Sequence, residues 1–153
     1  MKKIILIIFL IAVSVSYSQD KAAVGTESKA FLGAVPEELE KKCDSFFALL
    51  QQGKLNEAYD SILKNSPIHD ELDQVDNLIK STKKIIKNFG SVSGYEAVNS
   101  EAATDSYIRL RYLGLHEDLP IRWIFTFYKS PARGWILTRI KFDTETYYYF
   151  TDE

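Results

Sequence analysis

The chain has 153 residues, with 19 basic against 21 acidic side chains. It is too short for two ordinary domains and too acidic for a general nucleic-acid binder, which carries an excess of Lys and Arg. Its single cysteine, Cys43, excludes an internal disulfide, so the 46% hydrophobic and 13% aromatic content must build the core by packing alone.

Met1 to Ser18 reads as an export signal. Lys2 and Lys3 open it, Ile4 to Val15 form an uncharged apolar run, and Ser16-Tyr17-Ser18 offers small residues where a signal peptidase cuts. Ser14, Ser16 and Ser18 interrupt the run, and Gln19-Asp20-Lys21 closes it short of the roughly 20 apolar residues of a membrane span. Cys43 lies far from the cleavage site, so no lipid anchor is expected there. The expected product begins at Gln19, has no stable membrane anchor, and is periplasmic or secreted; an uncleaved N-terminal anchor is the alternative. Gln19 to Ala34 reads as a flexible lead-in, and residues 35–153 as one domain.

Order is expected from Pro36, which suits the first turn of a helix, with Glu37, Glu38 and Glu40 at its positive end. Leu39, Cys43, Phe46, Phe47 and Leu50 recur at helical spacing, which makes Cys43 a small buried hydrophobe, and Gly53 supplies the stop. Leu55 to Leu63 repeats the pattern as a second helix, ended by Asn65-Ser66-Pro67. A third helix runs from about Asp70 to Gly90, with Leu72, Val75, Leu78, Ile79, Thr82, Ile85, Ile86 and Phe89 as its inner face. Lys80, Lys83, Lys84 and Lys87 load its second half. A solvated face is the plain reading of these lysines, and an anionic partner is the alternative.

Beyond Gly90 the period changes to two. Strands are expected over Gly94–Ala103, Ser106–His116, Pro120–Lys129 and Trp135–Phe150, with Ser130-Pro131-Ala132-Arg133-Gly134 as a hairpin connection. Alternation puts Ile108, Leu110 and Tyr112 on one face, with Ile121, Trp123, Phe125 and Phe127, and with Ile136, Thr138, Ile140 and Phe142. The opposite face receives Arg109, Arg111, Arg122, Arg139, Lys141 and Asp143. Three helices followed by a half-wet antiparallel meander make an α+β roll, with the helices on one face of a curved, roughly four-stranded sheet.

Phe46-Phe47-Ala48-Leu49-Leu50-Gln51-Gln52-Gly53, followed by Ala58-Tyr59, resembles the opening of small NTF2-like proteins, as do Gly94-Tyr95-Glu96, Phe127-Tyr128-Lys129 and Gly134-Trp135-Ile136-Leu137. The resemblance covers Pro36 to Phe150 and implies a cone whose sheet wraps a helix, often with a pocket at its wide end. The cystatin-like roll is the nearest alternative. Such folds host isomerases, dehydratases, ligand carriers and structural dimers, so the fold selects no activity. The chain departs from the usual pattern in having no strand pair between its second and third helices.

Isomerase or dehydratase chemistry on such a fold requires a carboxylate or a His–Asp pair inside the cone, where an apolar setting tunes a base toward neutrality. Glu96 and Tyr112 are the only acid–base candidates that arise. Asp143 falls on the Arg139 side, and Glu117 and Asp118 lie in a turn. His69 is read as an exposed or capping residue. His116 with Asp118 supplies too few ligands for a metal, so no metal or cofactor is expected. No serine elbow, phosphate loop, HExxH or CxxC occurs.

The binding candidates are Arg109, Arg111, Tyr112, Trp123 and Arg139. The arginines would form a positive patch for a carboxylate, a phosphate or an acidic surface unless they pair across strands with Glu96, Glu101, Asp105 or Asp143. The expectation is a non-catalytic exported domain that meets a small molecule or an envelope protein through the sheet face or the cone pocket. A pocket enzyme and a homodimer joined through the sheet are the alternatives.

Overall fold

A computed structural model describes residues 35–150, so the export signal and the whole lead-in lie outside the described residues. Helix α1, Glu37–Gln51, starts directly after Pro36, with three glutamates in its first turn. Leu39, Cys43, Phe46, Phe47 and Leu50 are its buried side chains, the stripe that its spacing predicts. The helix stops in a Schellman turn. The Gly53 N–H donates to the Leu50 carbonyl and the Lys54 N–H to the Leu49 carbonyl, both at 2.9 Å. Gly53 holds φ at +73°, the left-handed conformation that this closure needs.

Helix α2, Leu55–Ile62, buries Ala58, Tyr59 and Ile62. A short 3-10 helix, Pro67–Asp70, follows. Ser66 caps it by accepting the Ile68 N–H at 3.2 Å, and its hydroxyl donates to the Leu137 carbonyl at 2.5 Å. One buried serine thus starts a helix and ties it to the sheet. Helix α3, Leu72–Phe89, then begins two residues later than the periodicity implies.

Only Thr82 of α3 is fully buried, and Leu72, expected inside, is 75% exposed. Val75, Leu78, Ile79, Ile85 and Phe89 pack on the core while staying partly exposed. One buried polar link joins the helix to α2. The Thr82 hydroxyl donates to the Leu78 carbonyl at 2.9 Å, which leaves Tyr59 as the donor in its 2.7 Å bond to Thr82 Oγ1.

Strands β1 (Gly94–Thr104), β2 (Tyr107–Leu115), β3 (Ile121–Ser130) and β4 (Gly134–Asp143) form an antiparallel sheet in the order β1-β2-β3-β4. The architecture is therefore α+β, three helices on a four-stranded antiparallel meander. Tyr112, Trp123, Phe125 and Phe127 face the helices, where Phe46 lies 5.4 Å edge-on from Trp123 and 5.5 Å from Phe125. Phe47 stacks on Tyr95 at 4.4 Å, and Phe142 lies 4.5 Å from Trp123. Aromatic rings thus fill the space between helices and sheet.

Two expectations fail on β4. Its inner set is not Ile136, Thr138, Ile140 and Phe142, because a bulge inserts Thr138 between the pairs Phe127–Leu137 and Thr126–Arg139. The extra residue reverses the alternation. Leu137 turns inward before it, Ile140 and Phe142 turn inward after it, and Ile136 lies opposite Tyr128. The Thr138 hydroxyl donates to the Thr126 carbonyl at 3.1 Å.

The strand also ends at Asp143 rather than near Phe150. The Asp143 carboxylate accepts the Glu145 N–H at 3.0 Å and turns the chain into a second 3-10 helix, Thr146–Tyr149. Tyr147, Tyr148 and Tyr149 have strong strand propensity, yet this local bond and the docking of Tyr149 override it. The Tyr149 hydroxyl donates to the Tyr112 carbonyl at 2.8 Å.

Gly114 is required by packing. A Cβ placed there would lie 2.8 Å from Trp123 Nε1 and 3.1 Å from Cδ1 of the same indole. Trp123 is fully buried, so the ring has no free space to move into. Gly114→Ala is expected to lower stability by about 1–3 kcal/mol, the usual range for overpacking a dense core. Urea unfolding followed by tryptophan fluorescence measures it. An unchanged midpoint would mean that the indole shifts freely.

Candidate functional site

The face of the sheet turned away from the helices gathers the charged residues. Pairing brings Glu101 beside Arg109, Asn99 beside Arg111, Arg111 beside Ile124, Ile124 beside Lys141, and Arg122 beside Asp143. Arg109, Arg111, Arg122, Arg139 and Lys141 therefore share one face, as the alternation predicts.

Most of these cations are neutralised in place. Arg111 donates to Glu101 at 3.1 Å and to Asn99 at 3.0 Å and lies 2.9 Å from the other Glu101 oxygen, while Arg109 reaches Glu101 at 3.4 Å. The Arg111 hydrogen bond holds the Glu101 carboxyl below its ordinary value. Arg122 forms a fork with Asp143, Nε to Oδ1 at 2.9 Å and Nη2 to Oδ2 at 2.8 Å, and its Nη2 also reaches Glu145 at 2.9 Å. The Tyr148 ring covers the guanidinium, 4.8 Å from its centroid, and Lys141 adds a 3.0 Å contact to Asp143. Arg139 is exposed and makes no ion pair among the described residues.

Between these groups lies a shallow cleft of about 510 Å³, lined by Asn99, Glu101, Arg111, Arg122, Ile124, Lys141, Glu145 and Tyr148. An anionic ligand entering it would have to displace Glu101 or Glu145 from its arginine. A partner carrying both donors and acceptors can instead add to the network without breaking it.

The five predicted binding residues do not converge. Arg109, Arg111 and Arg139 lie on the open face, whereas Tyr112 and Trp123 are buried in the aromatic core on the other side. Burial raises the Tyr112 phenol far above its usual value, as does the neighbouring Cys43, so it stays protonated. Cys43 is likewise pushed up by burial and stays a thiol. Glu96 is exposed and pairs with Leu113 across the open face, so it never meets Tyr112.

His116 lies half-buried, and its Nδ1 donates to the Gly90 carbonyl at 2.7 Å, which ties the end of α3 to the loop after β2. Among the described residues no group of three or more His, Cys, Asp or Glu is placed to hold a metal ion. None of their helices is long and apolar enough to cross a membrane.

Arg122, Tyr148 and Tyr149 were not among the candidates. A cross-strand fork from Arg122 to Asp143 becomes legible only once the bulge at Thr138 is counted, since that residue sets the two opposite each other. Comparison with protein-family models, curated proteins and solved structures finds no match. Fold and site together define an α+β meander roll with a filled aromatic core and a charged, tyrosine-flanked open sheet.

Proposed function

We propose that this chain is an exported, non-catalytic interaction domain of the NTF2-like type that meets an envelope protein through its open sheet face. Export rests on the pattern of Met1 to Ser18, and the family type on the soft motifs of Pro36 to Phe150. The observation that carries the reading is the division of labour between the two faces. Aromatic side chains occupy the helix side of the sheet, while Arg109, Arg139, Tyr107 and Tyr128 remain accessible on the other. Tyrosine and arginine are the residue types enriched at protein interfaces. Arg139, which pairs with no acid among the described residues, is available for one supplied by the partner.

A photo-crosslinking side chain at position 128 tests the proposal in an envelope extract. The expected result is a discrete crosslinked species that combined Arg109→Ala and Arg139→Ala substitutions abolish. A probe at Glu57, on the exposed side of α2, is expected to give none. Equal products from both positions, or products indifferent to the arginines, would overturn the assignment.

A further inference from the structure

The outward face of α3 carries a compact cationic patch. Lys80, Lys83, Lys84 and Lys87 are spaced i, i+3, i+4 and i+7, so all four project from one side within about 10 Å along the axis. Each is exposed, and among the described residues none has an acidic partner within ion-pair distance. Asp76 sits four residues before Lys80 without pairing to it. Elsewhere Arg109, Arg111, Arg122 and Lys141 are matched with carboxylates, and Lys41 with Glu37.

The arrangement works against the helix itself. Lys80–Lys84 and Lys83–Lys87 are like-charge i, i+4 pairs, which destabilise a helix where opposite charges would support it. The helix dipole accounts for Lys87, the single basic residue of the last turn. It does not account for the other three, because the effect falls off beyond that turn. The patch is also purely lysine, a residue depleted at protein interfaces, and α3 contains no arginine.

We propose that this lysine face is a docking surface for an anionic lipid bilayer. Lysine clusters on an amphipathic helix gain from the negative surface potential of such a membrane without inserting into it. The bilayer would dissipate the repulsion among the four ammonium groups. Binding of this kind is peripheral, reversible and weakened by salt. It stands independently of any partner at the sheet.

The chain from Gln19 onward keeps the whole described core and lacks the apolar leader, so it suits co-sedimentation with vesicles. Binding is expected to phosphatidylglycerol–phosphatidylcholine vesicles at about 0.05 M salt and to be lost at about 0.5 M, with none to phosphatidylcholine alone. Combining Lys80→Gln, Lys83→Gln, Lys84→Gln and Lys87→Gln is expected to cut partitioning by at least about tenfold. The thermal midpoint should be unchanged or raised, since helix propensity is kept and repulsion removed. Combined Arg109→Gln and Arg139→Gln substitutions should leave partitioning as it was. Equal binding to neutral vesicles would overturn the proposal, as would undiminished binding of the lysine variant. Capture of soluble polyglutamate through the lysines without vesicle binding would do the same, making the partner an acidic protein.

Discussion

Phe46→Ala is expected to cost about 3–5 kcal/mol, the range for emptying a large aromatic site in a packed core. Phe46 is fully buried at the centre of the ring cluster. Its ring lies 5.5 Å from Phe47, 5.4 Å from Tyr59, 5.4 Å from Trp123 and 5.5 Å from Phe125, all near edge-on. Removing it strips one partner from four aromatic contacts that span α1, α2 and the sheet. Edge-on pairs contribute beyond their buried area, so the cavity loses specific geometry as well as apolar contact.

The loss would consume a large part of the roughly 5–15 kcal/mol that stabilises a domain of this kind. No disulfide offsets it, because the lone cysteine is itself a core residue. Urea unfolding of Phe46→Ala beside Phe150→Ala, where the ring is 76% exposed, makes the comparison. The second change is expected to stay within about 0.5 kcal/mol of the parent. A Phe46→Ala loss under about 1.5 kcal/mol would show that the neighbouring rings collapse into the space.

The helical half of this fold is legible because its signals are local. The stripe from Leu39 to Leu50 and the stop at Gly53 each depend on residues within two turns of one another. The stripe of α3 was equally clear, but it does not report how deeply a helix docks. Periodicity sets which side of α3 faces the core, and the neighbouring surfaces leave Leu72 in solvent and Val75, Leu78, Ile79, Ile85 and Phe89 only partly covered.

In the sheet, alternation places Arg109, Arg111, Arg139 and Lys141 on one face correctly. What it misses is non-local. One inserted residue, Thr138, brings Leu137 inward in place of Ile136 and Thr138, while Ile140 and Phe142 stay inward. The tyrosine run after Asp143 reads as strand until the Asp143–Glu145 turn diverts it across the open face. Of the candidate binding residues, Tyr112 and Trp123 share the arginines' strands or their neighbours but not their parity. On parity, both already belonged to the apolar face with Ile108 and Phe125.

Arg122→Met is expected to destabilise by about 3 kcal/mol, at the low end for removing one partner from a buried ion pair. The side chain of Arg122 is 8% exposed, and that of Asp143 is 20% exposed. Without the guanidinium, Asp143 and Glu145 face each other with Lys141 alone to balance them, and Tyr148 loses the cation beneath its ring. The C-terminal 3-10 helix should loosen first, since Asp143 both pairs with Arg122 and turns the chain toward Tyr149.

The pair also predicts an acid limb. Burial alone would raise the Asp143 carboxyl, but hydrogen bonds from Arg122, Lys141 and the Glu145 amide outweigh it and hold the group at about 2, against an ordinary 3.8. Between these values the unfolded chain binds the proton more readily than the folded one. The stabilisation is therefore fully present above pH 3.8 and lost as pH falls toward 2, and after solvent screening it amounts to about 1–2 kcal/mol.

Denaturant titrations at steps across that interval should show parental stability falling with acid, and Arg122→Met falling less. Pairing Arg122→Met with Asp143→Leu should recover part of the loss, because apolar replacement of both partners leaves no charge stranded. If Arg122→Met and the parent lose stability in parallel through the interval, the fork does not control the Asp143 proton. The acid limb would then belong to other carboxylates, and Arg122 would act through packing under Tyr148 alone.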